Sequence, residues 1–359
     1  MKRSFRTGLI AGLLTLALAG AACSSGSSDS AAGQRSQQGG AVDEQQNVTL
    51  RLGYFPNLTH AAAVAGVEKG IFAEKLGPNV DLKTSTFNAG PAAVEAIFSD
   101  AIDATYIGPN PAINAFTRSN GEAVRIIAGA TSGGAALVVK PNINQAADLK
   151  GKKVASPQLG NTQDVALRAW LSAQGLKTDQ QGGGDVHITP QENAQTLETF
   201  KSNQISGAWV PEPWATRLVQ EGGGKVLVDE RTLWPGGQFV TTHLIVRTKF
   251  LREHPDLVDR LIQGHLAATQ YLNREPAEAQ KVVNAGIARL TQKALPEAVV
   301  AAAWNNMTFT FDPVSSSLRK MAADAQAAGL VQNVKLDGIY DLTILNRNLA
   351  KTGQPEVKG

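Results

Sequence analysis

Several short motifs in the sequence combine polar side chains with a glycine or proline, as loops that hold a small solute do. Their residues are Asn57, Thr59, His60, Asn110, Ser132, Gly133, Gly160, Asn161, Thr162, Glu212, Trp214 and Thr242. Amide, hydroxyl and imidazole groups exchange hydrogen bonds with polar ligands, and glycine lets backbone N–H groups approach a ligand closely. A tryptophan covers the apolar part of a ligand or stacks on a cation. Such groups suit contacts with a small polar solute, and each also has a plain structural use in a turn, a helix cap or the core.

Patterns typical of catalysis or metal binding do not occur in the sequence. Cys23 is the single cysteine, which excludes an intrachain disulfide and a thiolate metal cluster. The five histidines are scattered, and no pair has the spacing of a zinc-binding helix. A nucleophile elbow and paired catalytic carboxylates are also missing. We therefore expect no metal, no cofactor and no enzymatic activity.

Predicted strands and helices alternate through most of the chain. The first series has strands over 48–55, 80–87, 102–107 and 125–130, with helices over 59–69 and 90–99 and a third from 108–111 onward. The second series has strands over 137–140, 153–156, 186–189, 207–210 and 226–228, with helices over 161–174, 194–202 and 214–221. A strand over 241–246 returns the chain to the first series, and helices follow over 255–273, 276–290, 296–306 and 314–328.

This order predicts an α/β protein whose parallel sheets carry helices on both faces. Two α/β lobes joined by two crossings, with a helical C-terminal part, describe a two-lobed periplasmic-binding-protein fold of type II. We expect lobe I to comprise 48–131 and 241–359, and lobe II to comprise 132–240.

The candidate solute residues follow predicted strands, where the ligand crevice of doubly wound sheets lies. Helix starts at such loops present free N–H groups and hold an anion without a lysine or arginine. The 160–162 turn is the best candidate of this kind, and plain helix capping is its alternative. Turn formation is the alternative for Asn57 and Asn110, and burial in the core is the alternative for His60.

Glu212 discriminates between ligand classes. A carboxylate in the crevice would repel a bare oxyanion and would favour an amine, as in taurine or an amino-bearing heterocycle; its alternative is a charge at a helix start. Trp209 lies within a predicted strand and is expected in the core. On the returning strand Thr242 and His243 alternate in direction, so only one reaches the crevice, and we favour the Thr242 hydroxyl.

The N-terminal segment resembles the export signal of a bacterial lipoprotein. It begins with the cations Lys2, Arg3 and Arg6. An apolar run over 9–18 is too short to be a confident spanning helix, and small residues then lead to Cys23. In lipoproteins such a cysteine carries the lipid acyl chains and becomes the first residue of the mature protein. Gly20 departs from the usual bulky aliphatic residue, and the alternative is an ordinary secretory signal over 1–23.

Residues 24–47 form a polar linker by composition. They are rich in Ser, Gly, Ala and Gln and contain no aromatic residue, so they cannot bury enough apolar surface to fold. The net charge of +3 equals the contribution of the three signal cations, which leaves the rest near neutral. This balance argues against nucleic-acid binding. We expect a monomer held by its lipid anchor on the extracytoplasmic face of the cell membrane.

Several segments resemble the nitrate, sulfonate and taurine class of ABC-transporter solute-binding proteins. They are 53–60, 68–72, 151–155, 160–162, 208–214 and 241–246. The resemblance implies a receptor that closes on a small solute, such as an aliphatic sulfonate or taurine, and delivers it to a membrane permease driven by an ATPase. It also implies that the 160–162 turn holds the acidic head group, with Asn161 where Ser or Thr is commoner.

Two alternatives to a sulfonate receptor follow from related proteins. The 56–60 segment also resembles receptors for the pyrimidine precursor of thiamine, and nitrate is a further solute of the class. A related fungal branch makes that pyrimidine as an enzyme with a cysteine-rich iron-binding motif. Because Cys23 is the single cysteine, the sequence cannot form a cysteine-rich iron-binding motif, and we do not expect this enzymatic activity.

Overall fold

The computed structural model describes residues 48–359, so the signal segment, the linker and Cys23 lie outside the described residues. The strands are β1 (Val48–Tyr54), β2 (Val80–Thr86), β3 (Ala104–Ile107), β4 (Val124–Gly133), β5 (Ala135–Val139), β6 (Lys153–Ser156), β7 (His187–Pro190), β8 (Gly207–Pro211), β9 (Lys225–Asp229), β10 (Val240–Arg247) and β11 (Met307–Phe309). They form two sheets, one in each lobe.

Helices surround both sheets. They are α1 (Ala61–Glu68), α2 (Ile71–Leu76), α3 (Gly90–Phe98), α4 (Pro109–Arg118), α5 (Thr162–Ala173), α6 (Asn193–Lys201), α7 (Trp214–Gln220), α8 (Thr248–Glu253), α9 (Pro255–Arg274), α10 (Pro276–Thr291), α11 (Glu297–Trp304), α12 (Ser315–Ala327) and α13 (Thr343–Lys351). Most predicted elements are confirmed to within a few residues. Proline in the first turn of α4, α9 and α10 accounts for their clear starts, because proline lacks the N–H that a first turn leaves unpaired.

The first lobe contains a six-stranded sheet in the order β11-β4-β10-β3-β1-β2. β1 pairs in parallel with β2 and β3, whereas β10 lies between β3 and β4 and is antiparallel to both. The predicted parallel pairing therefore holds for β1, β2 and β3, whereas β10 and β11 make the sheet a mixed one. The chain leaves this lobe at the carboxyl end of β4 and returns at the same edge, so β10 must run in the opposite direction.

The second lobe contains a five-stranded sheet in the order β7-β6-β8-β5-β9. β6 is parallel to β7 and β8, and β5 is antiparallel to β8 and β9. Here too the predicted parallel pairing holds for part of the sheet, and the sheet is mixed because β5 enters from the first lobe at the crevice edge.

The C-terminal part contains elements that the sequence did not reveal. β11 covers three residues and pairs with β4, and α8 and α13 lie where no helix was predicted. A three-residue strand is too short to show an alternating pattern, so its pairing depends on the tertiary structure.

Apolar side chains alternate between the two faces of the first sheet. On β10, Leu244 and Val246 join the cluster under α1 and α9, while Ile245 joins the cluster under α4 and α12. In the second sheet, Trp209 is fully buried, as predicted for a strand residue of the core. This layering leaves the carboxyl ends of the strands free to form the crevice.

The described part of the chain, 48–359, contains no helix that is long and apolar enough to cross a membrane. Within the same residues, no group of three or more His, Cys, Asp and Glu side chains is placed to hold a metal ion.

Candidate functional site

The lobes meet along a crevice at the carboxyl ends of both sheets, and polar contacts join them. Trp214 Nε1, after β8, donates a hydrogen bond of 3.0 Å to Asn57 Oδ1, after β1. Asn88 Nδ2 donates to Glu192 Oε1 at 2.8 Å, again between residues that follow strands of different sheets. The structure is therefore a closed arrangement of the two lobes.

The loop after β1 presents a neutral imidazole. His60 is buried, its ring stacks on Phe55 at 4.3 Å between centroids, and its Nδ1 accepts a hydrogen bond of 3.3 Å from the Phe55 N–H. Burial lowers the pKa of His60 to about 3. The ring is therefore neutral at ordinary pH, and because Nδ1 accepts, the proton lies on Nε2. His60 offers a polar ligand an uncharged N–H donor.

Thr59 lies in the same turn and contacts the lobe crossing. Its carbonyl accepts a hydrogen bond of 2.7 Å from Thr131 Oγ1 on β4. Beyond this point β4 continues through Ser132, which is buried, and ends at Gly133, and Gly134 follows it. Both glycines have positive φ angles, 76° and 74°, a backbone conformation that side chains rarely adopt. The crossing therefore requires its two glycines.

The alternation expected on β10 separates Thr242 from His243. His243 Nε2 hydrogen-bonds the Pro313 carbonyl at 2.9 Å, away from the crevice. Thr242 is fully buried, and its hydroxyl has no hydrogen-bond partner within residues 48–359. The hydroxyl is thus unpaired among the described residues, and its role in binding stays a prediction.

The 160–162 loop after β6 leads into α5. Asn161 is the N-cap residue, but its side chain makes no capping hydrogen bond and instead donates to Gln163 Oε1 at 3.2 Å. Thr162 is buried, and its Oγ1 also lacks a partner among the described residues. A Cβ atom added at Gly108, in the other lobe, would lie only 2.3 Å from Thr162 Oγ1. Side-chain capping therefore does not account for this motif.

Asn110 lies in the first turn of α4 and is buried. Its Nδ2 donates a hydrogen bond of 3.0 Å to the Met321 carbonyl on α12, within the first lobe. The amide nitrogen therefore serves internal packing, which leaves the carbonyl oxygen as the group that could face a solute.

Protein donors surround the Glu212 carboxylate. Oε1 accepts from Asn306 Nδ2 at 2.7 Å and from Thr216 Oγ1 at 2.9 Å, and Oε2 accepts from the Thr216 N–H at 3.1 Å. Burial raises the pKa of Glu212, and these hydrogen bonds oppose that effect. The contact with Asn306 joins the lobes. The carboxylate thus has a structural role here, and recognition of a ligand amine by it stays a prediction.

Trp214 lines a cleft of about 450 Å³ beside the crevice. Asn57, Phe87 and Asn193 also line this cleft, and the Arg217 guanidinium covers the indole ring at 4.7 Å. Phe87, Asn193 and Arg217 were missed in the sequence. Phe87 and Asn193 come soon after β2 and β7, so the rule that selected the other loops would have found them.

A model of the NMT1-like family matches residues 43–288. The chain belongs to the NMT1-like family. A binding protein of Brucella abortus (strain 2308) is 28% identical over 236 residues, which cover 65% of this chain and 70% of that protein. The taurine-binding periplasmic protein of Escherichia coli (strain K12) is 29% identical over 199 residues, which cover 55% of this chain and 59% of that protein.

Among solved structures, the alkanesulfonate-binding protein SsuA from Xanthomonas axonopodis pv. citri, bound to MOPS, superposes with a TM-score of 0.66. It is 20% identical and covers 80% of this chain and 96% of its own. This likeness shows the fold, which is the two-lobed periplasmic-binding-protein fold predicted from the sequence. The family and the curated relatives, which are binding proteins, identify the chain as a solute-binding protein and not an enzyme. Proteins of this class work outside the cytoplasm and pass a small solute to a membrane permease.

Proposed function

We propose that the protein is the receptor of an ABC importer and binds a small sulfonate-like anion or zwitterion, such as an aliphatic sulfonate or taurine, between its lobes. The observation that carries the proposal is the pair of buried hydroxyls, Thr162 and Thr242, that lack partners within residues 48–359. Together with the neutral N–H of His60, these hydroxyls are uncharged donors of the kind that suits the oxygens of a sulfonate. The start of α5 adds a partial positive charge.

The relatives support this solute class, since the similar proteins bind taurine in one case and an alkanesulfonate in the other. The cleft beside Trp214 and Phe87 would take the apolar part of such a solute. Glu212 already accepts three hydrogen bonds from Thr216 and Asn306, so its oxygens are occupied by protein donors and not by a solute.

An amino-bearing solute is the second candidate. Asn193 is buried, and its Oδ1 has no partner among residues 48–359. An amide oxygen only accepts hydrogen bonds, so an N–H group would satisfy it. The ammonium group of taurine and the amino group of an aminopyrimidine both provide one, and Trp214 could stack on the latter's ring.

A thermal-shift panel on a fragment starting at Gln46 tests these candidates. The solutes are taurine, ethanesulfonate, nitrate and an aminopyrimidine. A solute that binds only the folded protein raises its Tm. At a concentration 100 times Kd, it adds about 2.7 kcal/mol to the free energy of unfolding. We expect taurine or ethanesulfonate to raise the Tm. A rise with the aminopyrimidine alone would refute the sulfonate proposal.

We further propose that Cys23 carries a lipid that anchors the mature chain to the cell membrane, with 24–47 as the tether to a monomeric receptor. In this arrangement lobe I (48–131 and 241–359) and lobe II (132–240) close around the solute because it binds the closed state better. Membrane fractionation of Cys23→Ala tests the anchor. We expect the variant in the soluble fraction, and continued membrane attachment would overturn this proposal.

A further inference from the structure

A buried ion pair lies directly beneath the 160–162 loop. Asp164 has no exposed surface, and it accepts three hydrogen bonds. Ser156 Oγ donates to Oδ1 at 2.7 Å, the Gly160 N–H donates to Oδ2 at 2.9 Å, and Arg168 Nε donates to Oδ2 at 3.0 Å. One carboxylate therefore links the end of β6, the loop itself and the next turn of α5.

Asp164 restrains the Gly160 end of the loop, next to the backbone hydrogen bond of 3.0 Å from the Asn161 N–H to the Gln158 carbonyl. Gly160 has a φ of +75°, and a Cβ added there would meet no atom within 4 Å, so packing does not hold it. The Asn161 side chain does not cap the helix. Asp164 instead takes the Gly160 N–H with a charge-assisted hydrogen bond, which is stronger than a neutral one.

Arg168 extends the same network toward the lobe contact. Its side chain is buried, and its Nη1 donates to the Asp179 carbonyl. The next residue, Gln180, donates from Nε2 to the Gly329 carbonyl after α12, in the other lobe. Two segments of the second lobe that meet the first lobe are thus held by one ion pair.

We propose that Asp164 is a positioning residue for solute binding: through Gly160 and Arg168 it sets the loop that presents Thr162 to the crevice. This inference rests on the proposed function, in which the solute contacts the 160–162 loop. The carboxylate itself faces the loop amide, Ser156 and Arg168, so its effect on affinity is indirect.

The test compares Asp164→Asn with a matched control, Asp103→Asn. Asp103 is also buried and paired with arginines, accepting from Arg51 N and Nε at 2.9 Å, but it lies at the opposite edge of the first sheet from the crevice. Each variant removes the charge of a buried carboxylate that bonds arginine, Arg168 for Asp164 and both Arg51 and Arg247 for Asp103, so both lower the Tm. We measure Kd for taurine and ethanesulfonate by calorimetry, and amide hydrogen exchange without solute.

We expect Asp164→Asn to raise Kd at least about tenfold, because losing a charge-assisted bond costs on the order of one tenfold step in an equilibrium constant. The Gly160 amide should exchange at least about tenfold faster in Asp164→Asn. Asp103→Asn should leave both quantities within about twofold of the parent. Equal losses of affinity in the two variants, or an unchanged rate of hydrogen exchange at the Gly160 amide of Asp164→Asn, would overturn the proposal.

Ser156→Ala keeps the ion pair and removes one hydrogen bond of Asp164, so it serves if Asp164→Asn does not fold. It should raise Kd about threefold or more and speed exchange at Gly160. If the rate of hydrogen exchange at the Gly160 amide and Kd are both unchanged in Ser156→Ala, the proposal that Asp164 positions the loop is contradicted. If the parent protein binds no solute of the panel, the proposed function fails, whereas the exchange measurement still decides whether Asp164 holds the loop.

Discussion

The hydrogen bond from Trp214 Nε1 to Asn57 Oδ1 joins the two lobes, so its removal should weaken solute binding through the closed state. Trp214→Phe keeps an aromatic wall on the cleft and deletes the indole N–H. A neutral hydrogen bond contributes about 1 kcal/mol. If the bond forms only on closure, its loss shifts the open–closed balance by that amount and raises Kd about fivefold.

Trp209→Phe is the matched control. Trp209 Nε1 donates to Glu230 Oε2 at 2.7 Å, and the side chain packs inside the second lobe. Its loss should lower the Tm, because the Glu230 carboxyl loses a partner in a buried site. Since neither residue crosses the crevice, Kd should stay within about twofold of the parent.

A double-mutant cycle separates the interlobe bond from direct contacts of Trp214 with the solute. Asn57→Ala removes the acceptor, and the double variant removes both partners. Calorimetry with taurine or ethanesulfonate gives four values of Kd, from which the coupling free energy follows. We expect about 1 kcal/mol of coupling. Additive effects of the two substitutions, or an equal loss of affinity in Trp209→Phe, would refute the reasoning.

Further predictions concern lobe closure, the Glu212 carboxylate and pH. Gly108→Ala places a Cβ atom 2.3 Å from Thr162 Oγ1 across the crevice, and such overpacking costs about 1–3 kcal/mol. Calorimetry should therefore show Kd raised at least about fivefold, with little change in the Tm of the solute-free protein. Unchanged affinity would show that the lobes close differently. Glu212→Gln should lower the free energy of unfolding by about 1–3 kcal/mol in urea because it weakens three hydrogen bonds. Its contact with Asn306 lies at the lobe crossing, where Met307 pairs with Gly133 and the Glu212 N–H donates to the Gly134 carbonyl, so we expect this contact in both the open and the closed states. Affinity for ethanesulfonate, which has no amine, should therefore change less than about threefold, and a selective loss of taurine binding would instead reveal an amine contact. Burial raises the pKa of Glu230 to about 7 from its ordinary 4.5, so the folded state binds the carboxyl proton more tightly than the unfolded state does. The resulting contribution to the free energy of unfolding is fully present below pH 4.5 and is lost as the pH rises through 7. The difference in unfolding free energy between the parent and Glu230→Gln should therefore fall by about 3 kcal/mol over that range, and a flat difference would contradict it.

Some residues predicted to contact the ligand instead bond the opposite lobe across the crevice. Asn57 and Glu212 were selected as ligand contacts because they follow strands, and both do lie at the crevice. In the structure, however, Asn57 bonds Trp214 and Glu212 bonds Asn306, each across the lobes. A polar residue at a strand end is thus placed by the fold class, but its partner depends on which distant residue closes onto it.

Local patterns in the sequence determined most helix and strand positions, because apolar periodicity and first-turn prolines act over a few residues. They also determined the placement of Trp209 in the core and of polar loops after strands. The family-like segments determined the solute-binding class, which the family match and the fold confirm.

The tertiary structure alone decided the rest. It decided that β10 runs antiparallel between β3 and β4, that 307–309 forms a strand, and that Asp164 rather than Asn161 holds the loop at Gly160. It also decided which hydroxyls, Thr162 and Thr242, are left without a partner within residues 48–359. The physical reason is that these features depend on contacts between residues far apart in the chain, or on the direction in which a buried side chain points, and no local pattern records either.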